Sequence, residues 1–376
     1  MRMWIIILGL TLICAFFGIL FLIAEVRKFS FAIKLTETKG KKFATLICAL
    51  ITIAVYAALY FIFGEMNAII IYIVLAILWL ICEGVFLLAQ KITKKKPKRY
   101  YVGVVALLLA TVYFSVGYYH AHHIVETDYN IRANDIGVNG SDTAGKREPL
   151  KIVQFADAHV GTTMNGDEFA EYMRRIDSLN PDMVLITGDL IDNASYRPDL
   201  EKACRALGEI HSKYGVYYVY GNHDKGYAGS EQRGYTPEEF KEMLTDNKVT
   251  VLEDEVVNIG DDYVLIGRMD KSEGGRKDIS ELMQETDTGR YSIVMDHQPS
   301  DYDCEAEAGC NLVLSGHTHG GQLIPITYVG EWIGANDATY GYERRKNTDF
   351  IVTSGLGDWE ISFKTGCVSE YVVLSL

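Results

Sequence analysis

Cysteine is scarce in this sequence, and its placement excludes two common roles. The seven cysteines include no four-cysteine zinc pattern. Three of them lie in long apolar stretches, so they do not form the framework of a disulfide-rich domain. Cys304 and Cys310 are close enough in sequence to pair in an exported domain, and the sequence leaves that pairing open. No internal repeat and no low-complexity tract is present, which excludes repeat architectures.

Basic residues are scarce in most of the chain. Residues 1–126 carry 13 Lys and Arg against 5 Asp and Glu, whereas residues 127–376 carry 23 against 44. The acidic part has no basic stripe. Nucleic-acid phosphates are bound by clustered Lys and Arg, so we expect no nucleic-acid partner. The opposite charge of the two parts predicts that they lie in different environments.

Proline is absent from four long apolar stretches near the start of the chain. Each has about the 20 residues that an α-helix needs to cross a hydrocarbon core. No small-residue cleavage site follows the first stretch, so it is not predicted to be a signal peptide. The sequence predicts a transmembrane region, residues 1–123, and a second domain, residues 124–376. The four predicted helices cover about residues 4–24, 43–63, 68–88 and 101–119.

Loop charge predicts the orientation of these helices. Six Lys and Arg lie between the first and second stretches, and KITKKKPKR, residues 91–99, lies between the third and fourth. The loop between the second and third holds only one charged residue, Glu65. Basic loops face the cytoplasm, so we expect a multi-pass protein of the cytoplasmic membrane, surrounded by membrane lipids, whose second domain is extracytoplasmic. Glu83, inside the third stretch, is predicted to lie near the cytoplasmic surface rather than in a polar cavity.

From Leu150 onwards, short apolar segments alternate with helical patterns, which predicts an α/β domain. The helical patterns cover about residues 167–179, 199–213, 237–246 and 279–284. Three successive segments, VTVLED, VVNIG and YVLIGRMD, are predicted to pair antiparallel. Polar residues of the types that bind metals follow five of the apolar segments. They lie in DAH (Asp157, His159), GDLID (Asp189, Asp192), GNHD (Asn222, His223, Asp224), DHQP (His297) and SGHTHGG (His317, His319).

These five loops are predicted to converge, because open α/β sheets bind ligands at the carboxyl ends of their strands. Carboxylate, imidazole and one amide oxygen form a mixed ligand set that favours Mn, Fe, Zn or Co over calcium. Residues i and i+2 of an extended segment point the same way, so D-x-H and H-x-H each direct two side chains at one point. Each motif alone is explained by a turn, a helix cap or an ordinary histidine. Five in order predict a site for two divalent metal ions.

The ordered series D-x-H, G-D-x-x-D, G-N-H-D, H-x-P and G-H-x-H resembles that of the calcineurin-like metallophosphoesterases, over about residues 124–376. A closing G-L-G and the terminal strand are similar to those of bacterial membrane-associated members. The resemblance implies an αββα sandwich holding two metal ions. The implied ligands are Asp157, His159 and His319 for one ion and Asn222, His297 and His317 for the other, with Asp189 bridging. The implied catalytic and ligand-orienting groups are His223, Asp192 and Asp224.

These features predict a membrane-anchored, metal-dependent phosphoesterase, with a phosphodiesterase favoured. A hydroxide held by both metals is expected to attack phosphorus. His223 is expected to protonate the departing alkoxide or to stabilise charge on the phosphoryl oxygens. A domain tethered to a membrane favours a lipid head group, a lipid-linked sugar phosphate or an envelope polymer as the phosphoester substrate.

Two alternatives stay open. In one, the enzyme faces the cytosol and acts on nucleotides or phosphoproteins. In the other, the chain is a membrane sensor or assembly module whose metal domain binds phosphate without turnover. The sequence fixes neither the metal pair nor the oligomeric state.

One segment departs from the family pattern. Relatives often carry P-x-R-F after the closing G-L-G, whereas this chain reads EISF, with Ser362 in place of the arginine. Lys364 and Arg345 are candidate replacements for it. A Gly- and Tyr-rich segment, residues 226–240, is interpreted either as a rim over the crevice or as a solvated loop.

Overall fold

The structure, a computed structural model, describes residues 2–95, 100–131, 147–226, 233–286 and 289–376, with side chains from residue 9 onwards. The basic segment 91–99, the polar stretch 124–149 and the segment 226–240 each fall partly outside the described residues. The chain forms two compact units. The helical unit comprises Met1–Gly117 and Glu360–Ser362, and the sheet unit comprises Tyr118–Trp359 and Phe363–Leu376.

Among the residues that the structure describes, five α-helices precede the first strand. Four of them are long and apolar enough to cross a membrane, in agreement with the four apolar helices expected from the sequence. The additional helix, α2, is short and carries charged residues. Single glycines with φ of 87° and 85°, Gly40 and Gly64, separate α2 from α3 and α3 from α4. The helices are α1 (Arg2–Val26), α2 (Ser30–Lys39), α3 (Lys41–Phe63), α4 (Glu65–Thr93) and α5 (Val102–His122).

Glu83 has charged and polar partners within the helical unit. Its Oε1 lies 2.8 Å from Lys28 Nζ and accepts a hydrogen bond from the Tyr100 hydroxyl at 2.6 Å. Lys28 Nζ also lies 2.7 Å from Glu25 Oε1. These contacts offset the cost of a carboxylate in an apolar helix, since charged groups in membrane spans are usually paired.

The sheet unit contains two six-stranded sheets. The first has the strand order β1-β12-β2-β3-β4-β5 and the second has the order β10-β11-β9-β8-β7-β6. The strands are β1 (Val125–Asn130), β2 (Lys151–Phe155), β3 (Met183–Thr187), β4 (Val216–Val219), β5 (Val249–Val251), β6 (Glu255–Ile259), β7 (Tyr263–Gly267), β8 (Tyr291–Met295), β9 (Leu312–Ser315), β10 (Gly341–Arg345), β11 (Thr348–Val352) and β12 (Glu370–Ser375).

In the described part of the chain, six α-helices connect these strands. Capping boxes start α6 and α8, where Asn165 and Thr236 accept from the backbone and a Glu three residues later reaches back. The helices are α6 (Gly166–Ser178), α7 (Arg197–Gly208), α8 (Pro237–Asp246), α9 (Ile279–Gln284), α10 (Tyr302–Ala308) and α11 (Val329–Trp332).

Strand periodicity builds four layers. Along β2, Val153 and Phe155 pack in a core with α6, α7 and α8, whereas Ile152 packs in the core between the two sheets. Along β8, Ile293 joins that central core and Val294 packs with α9 and α10. Successive side chains of a strand point to opposite faces, so each sheet has one face on helices and one on the other sheet. The predicted αββα sandwich is confirmed.

One pairing expectation was wrong. The segment VTVLED forms β5, which pairs parallel with β4 in the first sheet, and only β6 and β7 pair antiparallel. The physical reason is α8, because a helical crossover returns the chain in the same direction as the preceding strand. Cys304 is exposed and Cys310 is buried, and both are free thiols.

Candidate metal centre

The five loops predicted to carry metal ligands come from both sheets. Three follow β2, β3 and β4 of the first sheet, and two follow β8 and β9 of the second. Their side chains form two clusters, in each of which the potential ligand atoms all lie within 4.8 Å of one another. The first cluster is Asp157, His159 and His319, and the second is Asp189, His297 and His317.

The first cluster places two imidazoles against a carboxylate. His159 Nε2 lies 3.3 Å from His319 Nε2, and His319 Nε2 lies 3.7 Å from Asp157 Oδ1. Asp157 and His159 are fully buried. Burial lowers the pKa of His159, but the surrounding carboxylates, Asp192 and Asp189 first, raise it above 6.5. The field at this point therefore favours a positive charge.

In the second cluster, the hydrogen bonding of His297 directs a ring nitrogen towards the position of a cation. The ring nitrogen Nδ1 lies 2.8 Å from the carbonyl oxygen of Thr187 and donates there, so in the neutral ring Nε2 carries the lone pair. That Nε2 lies 3.1 Å from Asp189 Oδ2 and 3.2 Å from Asn222 Oδ1. Three lone-pair atoms thus converge, which is the donor set that a divalent transition metal takes. The residues present fit two metal ions.

Asp189 lies between the two clusters. Its Oδ2 is 3.1 Å from His297 Nε2 in the second cluster and 4.0 Å from His159 Nε2 in the first. Its Oδ1 accepts a hydrogen bond from the backbone N–H of His223 at 2.8 Å. A carboxylate has lone pairs for two metal ions at once, so this position suits a bridging group.

Glycine is required where the loops approach one another. Gly188 has φ of 87°, and a Cβ there would lie 2.6 Å from His297 Nδ1. A Cβ on Gly221 would collide with the Asp189 carboxylate. Asp157 and Asp189 themselves have φ of 52° and 53°. Left-handed non-glycine residues are strained and concentrate at functional sites.

Asp192 and Asp224 hold other groups in place. Asp192 Oδ2 lies 3.4 Å from His159 Nδ1 and accepts from the Thr162 hydroxyl at 3.0 Å, so it orients the His159 ring. The Asp224 carboxylate accepts backbone N–H groups of Gly221, Asp189 and Ile191, at 2.7, 2.9 and 3.3 Å. It thereby joins the loops after β3 and β4. Burial, followed by the charge of Asp189, raises the pKa of Asp224 to about 7.

His223 lies beside the first cluster and is 8% exposed. Its ring centroid is 5.1 Å from that of His159 and 5.0 Å from that of Trp359. Its backbone carbonyl accepts from Arg233 Nη2 at 2.8 Å. Burial lowers the pKa of His223 to about 4, so the imidazole is neutral near pH 7.

Sequence reasoning missed Asp358. Its Oδ1 lies 3.7 Å from His319 Nδ1, so it faces His319 much as Asp192 faces His159. Lys364 Nζ lies 3.2 Å from the same oxygen, and both side chains are fully buried. The available signal was a carboxylate directly after the G-L-G that follows a predicted strand.

Neither candidate replacement for the arginine of relatives is free to take that role. Lys364 Nζ donates to the carbonyls of Ser354 and Gly357 and to the Ser369 hydroxyl, at 2.8, 3.2 and 2.9 Å. Arg345 lies on β10, where Nε lies 2.6 Å from Glu343 Oε1. Its Nη1 lies 3.2 Å from Asp303 Oδ1.

Comparison with known proteins agrees with this geometry. Residues 150–321 match the family model of the calcineurin-like phosphoesterases. An uncharacterized metallophosphoesterase of Campylobacter jejuni is 28% identical over 232 residues, which is 61% of this chain and 60% of that protein. A bovine transmembrane protein with a metallophosphoesterase domain is 28% identical over 60% of this chain and 53% of its own length.

The chain thus spans about 60% of the length of the Campylobacter relative and about half of the length of the bovine relative. An uncharacterized metallophosphoesterase of Aquifex aeolicus is 31% identical over 49% of this chain and 68% of its own length. By these matches and by its ordered ligand loops, the chain belongs to the calcineurin-like phosphoesterase family.

Proposed function

We propose that this protein is a membrane-anchored, metal-dependent phosphoesterase that acts on phosphodiesters. The observation that carries the proposal is the pair of buried ligand clusters with Asp189 between them. Structural carboxylates seldom share a buried site with four imidazoles unless a cation neutralises them.

Each part of the site has a defined task in this proposal. Asp157, His159 and His319 would hold one divalent ion and Asn222, His297 and His317 the other, with Asp189 shared. Two such ions supply a water of lowered pKa and neutralise charge on the phosphoryl oxygens. Asp192 and Asp358 keep the His159 and His319 rings in orientation, and Asp224 keeps the β3 and β4 loops together.

His223 supplies a hydrogen-bond donor in this mechanism. Its ring is neutral near pH 7 and packs between His159 and Trp359. A neutral imidazole N–H can stabilise negative charge on a phosphoryl oxygen without first gaining a proton. Of the two roles expected from the sequence, the burial of the ring favours charge stabilisation.

The proposed location is the outer face of the cytoplasmic membrane. The support is the distribution of Lys and Arg within the helical region, where they concentrate in residues 27–42 and 91–99. Only two residues separate the end of α5 at His122 from the start of β1 at Val125. So short a connection favours a substrate found at a membrane, such as a lipid-linked or envelope-linked phosphoester.

The substitution Asp189→Asn tests the proposal. The purified full chain should contain two equivalents of divalent metal and hydrolyse p-nitrophenyl phosphodiesters. An amide cannot bridge two cations as a carboxylate does, so the variant should lose metal and at least about 10³-fold in kcat. Metal analysis and a phosphoester panel, including phospholipids, provide the measurements.

Asp167→Asn is the matched control, because Asp167 is an exposed carboxylate on α6. It should keep both metal and turnover. Stoichiometric metal without turnover on any phosphoester in the unsubstituted protein would instead support the phosphate-binding module.

A further inference from the structure

The loop after the last metal ligands is unusually apolar on its surface. We call residues 322–336, QLIPITYVGEWIGAN, the apolar loop. Among the described residues from Val125 onwards, every exposed large aliphatic side chain lies in it. Trp332 is 73% exposed and Ile326 is 55% exposed. The exposed aliphatic residues are Ile324, Ile326, Val329 and Ile333.

This surface is poorly suited to contact with water alone. Glu331 is the only charged residue of the apolar loop, and α11 within it has no buried residue. Contiguous exposed apolar patches on soluble domains mark binding surfaces. Tryptophan and tyrosine, both present here, are the side chains that best combine apolar contact with a wet edge.

Hydrogen bonds attach the start of the apolar loop to the first metal cluster. Gln322 directly follows the short 3-10 turn His319–Gly321. Its Nε2 donates to Asp358 Oδ1 at 3.3 Å, on the oxygen that faces His319. The Ile324 N–H donates to the Thr365 hydroxyl at 3.0 Å.

The residues that directly follow the apolar loop are attached to the other ligand segments. The Asp337 N–H donates to the carbonyl of Pro299, two residues after His297, at 2.7 Å. The Thr318 hydroxyl, between His317 and His319, donates to the carbonyl of Thr339 at 2.5 Å. Both ends of the exposed apolar surface are therefore fixed beside metal-ligand loops.

We propose that the apolar loop binds the hydrocarbon chain of a lipid phosphoester whose phosphate lies at the metal centre. This inference rests on the proposed phosphoesterase function and narrows its substrate to amphiphiles. The apolar loop starts three residues after His319, so an alkyl substituent on a phosphate held at the clusters would have this surface beside it. The four membrane-spanning helices of the same chain keep the enzyme where such lipids are found.

A homologous series of substrates tests this inference. The full chain in nanodiscs of zwitterionic phospholipid is given p-nitrophenyl methyl, butyl and octyl phosphodiesters, each below its aggregation concentration. Hydrolysis consumes one water, breaks the phosphorus–aryl oxygen bond, and releases p-nitrophenolate and the alkyl phosphate. The leaving group is the same in all three esters, so the series changes only the contact that the alkyl group makes with the protein. We expect kcat/KM to rise by up to about fourfold for each buried methylene.

The double variant Ile326→Ser, Trp332→Ser should flatten this rise and leave the methyl ester within about twofold of the unsubstituted protein. Both side chains are exposed, so thermal stability should not change. The control is Tyr342→Ser, an aromatic residue on β10 that is 47% exposed. It should keep the full dependence on chain length.

Two results would overturn the inference while the proposed function stands. One is an unchanged chain-length dependence in the double variant, which would mean that the loop serves a different partner. The other is an equal loss on methyl and octyl esters, which would mean that the loop supports the metal site itself. Absence of turnover on every ester would instead overturn the proposed function, and this inference with it.

Discussion

The surroundings of His223 distinguish two catalytic roles for it, proton donor and hydrogen-bond donor. A proton donor must be charged before it acts, whereas a hydrogen-bond donor acts while neutral. Burial between His159 and Trp359 keeps the ring neutral, since it lowers the pKa of His223 to about 4. The side chain therefore contributes an N–H group at neutral pH rather than a mobile proton.

Replacing His223 by Ala should lower kcat by about 10²–10³-fold and leave the metal content unchanged. The loss should be the same for p-nitrophenolate and for a poor alkoxide leaving group, because no proton transfer is removed. Steady-state kinetics on the two substrates provide the measurement. His211→Ala, at a histidine whose side chain is 90% exposed, is the control. A larger loss for the alkoxide would show that His223 transfers a proton.

At the scale of residues, the sequence predicted the side chains that gather around Asp189, because each motif is short and ends an apolar strand. It could not predict Asp358 beside His319. That contact joins the loop after β9 to the loop after β11, and it exists only because those strands are neighbours in the second sheet. Nor could it assign the His297 tautomer, which depends on the Thr187 carbonyl of the other sheet.

At the scale of elements, the site depends on the junctions where strands pass into the ligand loops. A substitution at Gly188, directly after β3, tests this dependence. Gly188→Ala adds a methyl group at φ of 87° and 2.6 Å from His297 Nδ1. We expect a loss of at least about 2 kcal/mol in stability and at least about 100-fold in kcat/KM, since the ligand ring must move. Thermal unfolding and kinetics provide the measurements.

The substitution Gly309→Ala is the control, because it measures the cost of a left-handed backbone conformation alone, without a steric clash. Gly309 has φ of 81°, and its Cβ would meet nothing within 4 Å. The substitution should cost about 1 kcal/mol, with activity retained. Equal effects of the two substitutions would show that contact with His297 is unimportant.

Glu305 of α10 belongs to a buried group of charged side chains in which carboxylates outnumber guanidinium groups. Arg268 Nη1 lies 3.0 Å from Asp296 Oδ2, 2.6 Å from Asp301 Oδ2 and 3.2 Å from Glu305 Oε1. Arg276 also contacts Asp296, so two guanidinium groups face three carboxylates. Burial, followed by the charge of Asp296, raises the pKa of Glu305 well above 4.5.

Because the folded-state pKa of Glu305 is raised, the group binds its proton more tightly in the folded state. Its contribution to stability therefore falls as the pH rises above the ordinary value of 4.5. Glu305→Gln should raise the thermal midpoint at pH 8 by about 2 °C or more and leave it unchanged at pH 4. Calorimetry at both pH values provides the measurement. Glu307→Gln, at an exposed position of the same helix, should have no effect at either pH.

Helices with clear start signals were predictable from the sequence, whereas edge strands were not. Helices 237–246 and 279–284 were predicted at their observed ends, and the first has a proline and a capping box at its start. Strands β1 and β10 were not predicted. Both are edge strands in which half-buried residues alternate with exposed ones, so their sequences lack the apolar run of a buried strand. Their pairing depends on β12 and β11, far away in sequence.

At the scale of the whole molecule, the proposed orientation predicts on which side of the membrane a reporter fused at each of three positions will lie. A reporter enzyme that becomes active only outside the cytoplasm should be active when fused after residue 376 or after Gly64. It should be inactive after Gly40, which lies in the basic connection between α1 and α3. Activity only after Gly40 would place the metal centre in the cytosol.

The position of β12 constrains how the protein is made. This strand, Glu370–Ser375, lies between β1 and β2, pairing parallel with the first and antiparallel with the second. The first sheet cannot close until a ribosome has synthesised residue 375, whichever side of the bilayer receives the domain. Until then β1 and β2 lack the strand that joins them and the core between the sheets lacks Val372 and Leu374, so the unfinished domain exposes apolar surface that favours aggregation.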